Sequence, residues 1–379
     1  MRNALLALVV VLLAVPASAA ANGSPLPEVP VAATDLADAT GAVAPSAAGG
    51  HVVFSRRVAA TGRFELVEWS AARGLRVLPV GDRAVPFDAD VGRGAGGGAV
   101  VTYSRCAADG TLSYVLPTVD FSMARGCRPY ILDLDRSDAR PRQLRLSQAS
   151  GLSLTTPSVH GRSVAAVVAP DRGGNARIVL WRRTTRAPVR LRGGTAPKCP
   201  FRTCSTRPLS SVDALDLGAR SVAFLWRLSQ PPYGAGPGVE LRTSSLRPGG
   251  AGHEVSFAEG YLSGACGFRQ PLSPTAGSGG GVAFLLAQSP CEEIQTTLAV
   301  QRSGSRAVLG VRPAGSLAFG AAFDADRVFW LRGAAPLESQ DLDGGVGDQP
   351  VIPCARPGAA CRLVVSRALP LQVASRRKG

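Results

Sequence analysis

Residues 218–226 are GARSVAFLW, a glycine-led turn followed by an apolar run, and the phrase returns along the whole chain. Upstream stand GGHVVFSRR (49–57), GGAVVTYSR (97–105) and GRSVAAVVAP (161–170); downstream stand GGGVAFLLAQ (279–288) and DADRVFWLRG (324–333). One valine from each phrase (Val52, Val100, Val164, Val222, Val282, Val328) gives intervals of 48, 64, 58, 60 and 46 residues. Recurrence at such intervals marks a repeat architecture in which each copy is one supersecondary unit.

Each unit carries a further apolar segment: RFELVEWSAARGLRVL, RPYILDLDRSDARPRQL, NARIVLWRRTTRAPVRL, GVELRTSSLRPGGAGHEV, TTLAVQRSGSRAVLG and CRLVVSRALPLQVA. Short alternating runs rich in Val, Leu and aromatics, bounded by Gly, Pro, Ser or Asp, predict strands. A weaker strand such as TTPSVHG, DALDLGA or LAFGAAF precedes each glycine-led phrase. The unit is therefore strand a, tight turn, strand b, variable loop, strand c, short turn, strand d. No segment sustains helical periodicity.

Four antiparallel strands repeated six times predict an all-β chain, a six-bladed β-propeller whose radial closure protects the sheet edges. A seventh blade would need residues 22–46 to add strands; the preferred use of PEVPVAA, near residue 30, is to help close the ring. The unit resembles the TolB-like, WD40-like propeller repeat, in which a Gly or Asp turn followed by x-x-V-A-F leads into a strand that ends in a polar turn. The proline-aspartate-glycine entry of that repeat is missing here. GRSVAAVVAP and GARSVAFLW keep only its second half. The resemblance implies the fold and no particular ligand.

The N-terminus sets the compartment. Arg2 precedes the apolar run Ala4–Val15 and then PASAAAN, with small residues where a signal peptidase cuts. A basic start, a short apolar middle and an A-x-A exit predict a Sec-type signal peptide over residues 1–21, too short for a membrane span. Residues 22–40 form an Ala/Pro-rich segment and 41–379 a single domain. The mature chain is expected to be secreted or extracytoplasmic, with no transmembrane segment and as a monomer.

The chain has 42 basic and 27 acidic residues, a formal charge of +15. Loss of Arg2 with the leader leaves 41 basic residues and +14. Lys198 and Lys378 are the only lysines, so the excess is arginine, as a GC-rich genome would favour. A basic exported protein is attracted to anionic wall polymers, lipid headgroups or acidic glycans. Nucleic acid is not an expected partner of an exported chain. The competing reading is scattered solvated charge, since the arginines form no runs.

Eight cysteines in an exported chain predict disulfides. Cys199 and Cys204, in KCPFRTC, have a spacing that also occurs in zinc sites. No second close pair or histidine stands near them, so a strap is the expected reading. The strand map places Cys106, Cys127, Cys199, Cys204, Cys266, Cys291, Cys354 and Cys361 in b-to-c loops and d-to-a links, which emerge on one face of a propeller. Neighbour pairing (106 with 127, 199 with 204, 266 with 291, 354 with 361) suits the reach of a disulfide and is one of 105 connectivities. Strapped loops on a rigid scaffold are where binding usually resides.

CSTRPLS from Cys204 and CGFRQPLS from Cys266 look like duplicated loops that place Arg207 and Arg269 equivalently. With Phe201, Arg202, Phe268 and Tyr233 they form the candidate ligand-binding set, an arginine fork beside an aromatic being suited to a carboxylate or phosphate. The blander alternative is that the phenylalanines cap blade ends and the arginines are solvated. Other residues assigned to this face are Arg105, Tyr114, Phe121, Arg125, Arg128, Arg227, Tyr261 and Arg332.

Catalytic signals are sparse. His51 and His160 fall in a-to-b turns and His253 near a c-to-d turn, all on the face away from the strapped loops, where they cannot join a loop-face triad. G-x-S-x-G, H-E-x-x-H and P-loop motifs are absent. Acid pairs that could cleave a glycoside are Asp88 with Asp90, Asp213 with Asp216, and Glu292 with Glu293. Asp341, Asp343 and Asp348 in DLDGGVGD suggest a calcium loop but lack the closing Glu, so an acidic turn is the expected reading. Trp69, Trp181, Trp226 and Trp330 are assigned to packing between blades. The expectation is a non-enzymatic binding or scaffold module with no metal or cofactor, holding a protein or an anionic polymer. The alternative is a polysaccharide-acting hydrolase or lyase using carboxylates near the channel.

Overall fold

The computed structural model describes residues 28–30, 44–58, 60–113, 118–120, 124–147, 150–172, 176–182, 189–195, 210–228, 238–247, 252–259, 268–277, 281–289, 295–301, 308–311, 318–324, 327–333 and 361–367. They are all-β, in six four-stranded antiparallel sheets and one two-stranded hairpin. No helix among them is long and apolar enough to cross a membrane.

Strand β1 (Glu28–Pro30) comes first in the chain and pairs last, as described below. The first sheet holds β2 (Ser46–Ala48), β3 (His51–Arg57), β4 (Phe64–Ser70) and β5 (Gly74–Val77) in chain order. The second sheet begins with β6 (Asp90–Arg93) and β7 (Ala99–Arg105). The hairpin β8 (Thr111–Ser113) with β9 (Thr118–Asp120) then intervenes, and β10 (Arg128–Asp133) and β11 (Arg142–Gln143) complete the sheet.

The third sheet is β12 (Leu152–His160), β13 (Ser163–Pro170), β14 (Arg177–Arg182) and β15 (Val189–Thr195). The fourth is β16 (Ser210–Leu217), β17 (Ser221–Leu228), β18 (Gly238–Ser245) and β19 (Gly252–Glu259). The fifth is β20 (Phe268–Ala276), β21 (Val282–Ser289), β22 (Gln295–Gln301) and β23 (Val308–Val311). The sixth runs β24 (Ala318–Asp324), β25 (Arg327–Gly333) and β26 (Cys361–Arg367), and β1 supplies its fourth strand with Val29 opposite Val365.

The glycine-led phrases are the second strands β3, β7, β13, β17, β21 and β25, and their apolar runs are explained by burial on both faces. Val222, Phe224 and Trp226 of β17 join a core with Ile178 and Leu180 of the third sheet. The intervening Ala223 and Leu225 join Phe284 and Leu286 of the fifth. Likewise Val101 and Tyr103 pack with Val53 and Leu66 of the first sheet, while Val100 packs with Val159 of the third. Alternation of period 2 thus sends successive side chains to two neighbouring sheets, both of them dry. Trp226 and Trp330 are fully buried, and Trp69 meets Phe329 at 5.8 Å between ring centroids, joining the first sheet to the sixth.

The first strands β2, β6, β12, β16, β20 and β24 each touch the next, and β24 touches β2. They converge so closely that some positions exclude any side chain. A Cβ on Gly92 of β6 would lie 1.9 Å from the Val159 carbonyl oxygen, and one on Gly320 of β24 would lie 2.7 Å from Pro45. Polar groups also fasten the junctions. The Val91 N–H donates to Ser46 Oγ (2.8 Å), the Thr156 N–H to Asp88 Oδ2 (2.6 Å) and the Leu217 N–H to Ser158 Oγ (2.8 Å). The Ala276 N–H donates to Asp216, the Ala321 N–H to Ser273 Oγ (3.1 Å), and the N–H groups of Gly49 and Gly50 to the Asp324 carboxylate. Each of the six sheet-to-sheet junctions therefore carries at least one side-chain to backbone bond.

Candidate functional site

Two features stand out: a carboxylate-lined cavity among the first strands, and the sheet end that carries the Cys106–Cys127 disulfide. The cavity owes its shape to bulges. Register shifts interrupt β12 at Thr155/Ser158, β16 at Val212/Ala214 and β20 at Leu272/Thr275. In β12 and β20 the bulge is a hydroxyl residue before proline, Thr156-Pro157 and Ser273-Pro274. Thr156 and Ser273 have φ of 49° and 51°, a left-handed conformation that non-glycine residues seldom adopt. Bulges re-aim side chains, and here they present polar groups to the centre.

The cavity, about 60 Å³ in volume, is lined by Ser46, Thr156, Ser273, Thr275 and all of Asp88, Asp90, Asp213 and Asp216, together with small apolar residues. Among the described residues no Lys, Arg or His lines it. Asp88 is tied up by its own surroundings. It accepts from the Ser104 backbone N–H (2.9 Å) and hydroxyl (2.6 Å) as well as from Thr156, and Arg83 lies 3.4 Å away.

Asp90, 6% exposed, accepts from Ser46 Oγ through Oδ1 (2.7 Å), while its Oδ2 is buried without a partner. Burial pushes the Asp90 carboxyl well above the usual carboxylate range, and the negative charge of Asp216 pushes it further; the nearby Ser158 and Ser46 hydroxyls offset part of this. Asp216 is pushed up to about 6, chiefly by burial, against the backbone N–H groups of Ala276 and Leu217 that stabilise its charge.

Two of the acid pairs singled out in the sequence thus meet in one place, although the sequence gives no sign that Asp88/Asp90 and Asp213/Asp216 would share it. The third pair, Glu292 and Glu293, and the DLDGGVGD segment lie outside the described residues. The cavity has room for a few waters, since one water needs roughly 10–15 Å³ on this measure. Small-molecule sites run to about 300–1,000 Å³.

The second feature is the end where second strands finish and third strands begin. Arg105 closes β7 opposite Arg128 of β10, and the flanking Cys106 and Cys127 are joined in a disulfide across 21 residues of sequence. Cys127 is fully buried, and its N–H donates to Ser153 Oγ (3.1 Å) of the third sheet. Arg105 donates to the Val80 carbonyl and lies over the Tyr130 ring at 5.7 Å; Arg128 donates to the carbonyls of Cys127 and Leu152. These arginines are fixed in place by neutral oxygens, which leaves their charge uncompensated by those contacts.

Phe268 and Arg269 begin β20 opposite Ser289 and Gln288 of β21, and Cys361 begins β26 opposite Gly333, so the strand order puts these backbone positions at the same end. Phe201, Arg202, Arg207, Tyr233, Tyr114, Phe121, Tyr261, Cys199, Cys204, Cys266, Cys291 and Cys354 lie outside the described residues.

The histidines stand at the other strand ends, His51 and His160 beside the turns of β2–β3 and β12–β13 and His253 opposite Thr243 near the β18–β19 turn. Sequence reasoning missed the network around His51. Its Nδ1 lies 2.6 Å from Glu68, which is fully buried, and its Nε2 lies 3.1 Å from Asp135; Arg73 and Arg76 also meet Glu68. Since the two arginines also donate to the Leu134 carbonyl, the network ties β3, β4 and β5 to the second sheet. Among the described residues no three His, Cys, Asp or Glu side chains converge on one metal position.

No protein-family model matches the chain, and no curated protein is similar to it in sequence. The chain is similar at low identity to several solved structures. TolB from Acinetobacter baumannii is 14% identical over 84% of this chain and 64% of that one, with a TM-score of 0.40. The match therefore spans just under two thirds of that TolB. The β-propeller domain of the Trilobed protease from Pyrococcus furiosus is 8% identical over 77% and 78% of the two chains, with a TM-score of 0.39. The Hadza microbial sialidase Hz136 is 12% identical over 86% and 65%, with a TM-score of 0.46.

Proposed function

We propose that the chain is an exported, monomeric six-bladed β-propeller that acts as a non-enzymatic binding or scaffold module of the cell envelope. Residues 1–21 are its signal peptide, residues 22–40 help close the ring through β1, and residues 41–379 are the propeller domain. The disulfide-strapped end holds a protein or an anionic polymer. Arg207, Arg269, Phe201, Arg202, Phe268 and Tyr233 supply contacts there, and the remaining cysteines strap the other loops.

The observation that carries this reading is the fixed arginine pair Arg105 and Arg128 beside the Cys106–Cys127 bridge, on a chain of net charge +15. Arginines held by carbonyl oxygens are preorganised donors for a partner carboxylate or phosphate. Against the hydrolase alternative stand the size of the central cavity, about 60 Å³, and the extent to which Asp88 is consumed by internal hydrogen bonds. A sugar ring has no place there.

Retention on purified cell wall or an acidic glycan tests the proposal. It should fall steeply as salt is raised through about 0.1–0.5 M, because exposed charge pairs are screened on that scale. Arg207→Ala combined with Arg269→Ala should weaken it by about tenfold or more, roughly the 1.4 kcal/mol that two rim charges can contribute. Retention indifferent both to salt and to the double substitution would overturn the proposal, and release of reducing sugar from such a glycan would favour the hydrolase.

A further inference from the structure

We infer that the central cavity is a binding site for an oxygen-seeking divalent cation of the calcium type, held by Asp90, Asp216 and the Thr156 hydroxyl. The first observation is charge segregation. Among the described residues, a chain of formal charge +15 lines this cavity with four aspartates and no basic residue. Buried carboxylates are normally paired or coordinate a metal. Asp88 has its counter-charge in Arg83, whereas among the described residues no arginine or lysine lines the cavity beside Asp90 and Asp216.

The second observation is independent of charge. Asp90 Oδ2 and Thr156 Oγ1 are both buried without a hydrogen-bond partner, and each residue is only 6% exposed. Both residues line the cavity. Buried polar atoms left unsatisfied are few in native proteins, and an ion or water is among the explanations. Two in one small polar cavity, from different sheets, have a common explanation in one bound centre.

The donor set chooses the ion. All available ligands are oxygens, two of them carboxylates and one a hydroxyl, with water completing the shell. Zinc prefers nitrogen and sulfur, and among the described residues no histidine or cysteine lines the cavity. Calcium takes six to eight oxygens at about 2.3–2.6 Å in flexible geometry, and a cavity of about 60 Å³ admits the ion with a few waters. Because Asp90 lies in β6, Thr156 in β12 and Asp216 in β16, the ion would tie the second, third and fourth sheets together. This inference does not depend on the ligand proposed for the strapped end.

The test is thermal melting and calorimetry on the full chain after EDTA dialysis, with calcium chloride as titrant and magnesium and sodium chloride as comparisons. The expected result is one calcium ion per chain and a melting temperature raised by several degrees at millimolar calcium, with a smaller magnesium effect. Asp90→Asn and Asp216→Asn should each abolish the shift while melting in EDTA at or above the wild-type temperature, since each removes one of two mutually repelling negative charges and keeps an accepting oxygen. An Asp341→Asn/Asp343→Asn/Asp348→Asn variant should keep it. The inference is overturned if wild type shows no shift with either divalent ion. It is equally overturned if the shift survives in Asp90→Asn, or if Asp90→Asn melts below wild type in EDTA, which would make Asp90 a hydrogen-bonding strut only.

Discussion

Gly92→Ala probes a close approach between two sheets. Gly92 lies in β6 opposite Val100, and a Cβ there would meet the Val159 carbonyl oxygen of β12 at 1.9 Å. Carbon and carbonyl oxygen do not approach much closer than about 3.3 Å, so the second and third sheets must separate locally by roughly 1.4 Å. That motion strains the Gly161 N–H to Arg93 carbonyl bond (2.7 Å) and the Thr156 N–H to Asp88 bond (2.6 Å), which hold the same junction. Overpacking costs about 1–3 kcal/mol and a weakened buried hydrogen bond about 1 kcal/mol more. The expected loss is about 2–4 kcal/mol, a fall in Tm of roughly 4–8 °C at about 2 °C per kcal/mol. The matched control is Gly96→Ala, in the β6–β7 turn, where a Cβ meets nothing within 4 Å. Urea unfolding followed by circular dichroism compares the two. Equal midpoints for Gly92→Ala and Gly96→Ala would refute the close approach of β6 and β12 and the junction built on it.

Two further outcomes follow from other parts of the molecule. Ser273→Ala removes the acceptor of the buried Ala321 N–H and should cost about 1–3 kcal/mol in urea unfolding; an unchanged midpoint would show that the fifth-to-sixth junction does not rely on it. His160 has its pKa lowered by burial and then by the nearby Arg93, so the folded state disfavours its protonation. The stability it allows above the unfolded value of about 6.5 is lost as pH falls through the lower folded value. Wild type should therefore lose stability relative to His160→Gln between pH 7 and 5, and parallel pH curves would contradict this.

The second strands were legible because both of their faces are buried: a segment such as SVAFLW must be apolar at every position, and that survives any drift in the rest of the repeat. The fourth strand of the last sheet was not legible in the same way. The tail LPLQVA has strand composition, yet β26 pairs on its outer edge with Glu28–Pro30, a three-residue strand with no periodicity of its own. Only the topology of a circular arrangement points to it. The acid pairs were visible as residues but not as a site. Asp88 and Asp216 are 128 residues apart in sequence, and nothing local encodes that the segment before β6 and the bulged strand β16 will bring them to one cavity. The fastening role of Ser46, Ser158 and Ser273 was equally silent, because a serine in a short strand looks the same whether it faces water or a neighbouring backbone.

The central polarity follows from the convergence of strands rather than from function alone. Where six first strands meet, the space at Gly92 and Gly320 excludes any side chain, as the 1.9 Å and 2.7 Å approaches there demonstrate. Outer edges of the same strands pair with second strands, but their inner edges face another sheet at an angle that no β-ladder can bridge. Their N–H groups still need acceptors, since each buried unpaired donor costs about 1–3 kcal/mol. Ser and Asp are the smallest side chains that can reach across, and Asp adds charge. Each aspartate satisfies donors on one side and leaves oxygen lone pairs on the other, so a centre fastened in this way accumulates negative potential as a by-product of satisfying its backbone. Asp88 disposes of that potential through Arg83; among the described residues Asp90 and Asp216 have no such neighbour in the cavity. A cation at the centre would therefore complete the same hydrogen-bonding logic that fastens the sheets.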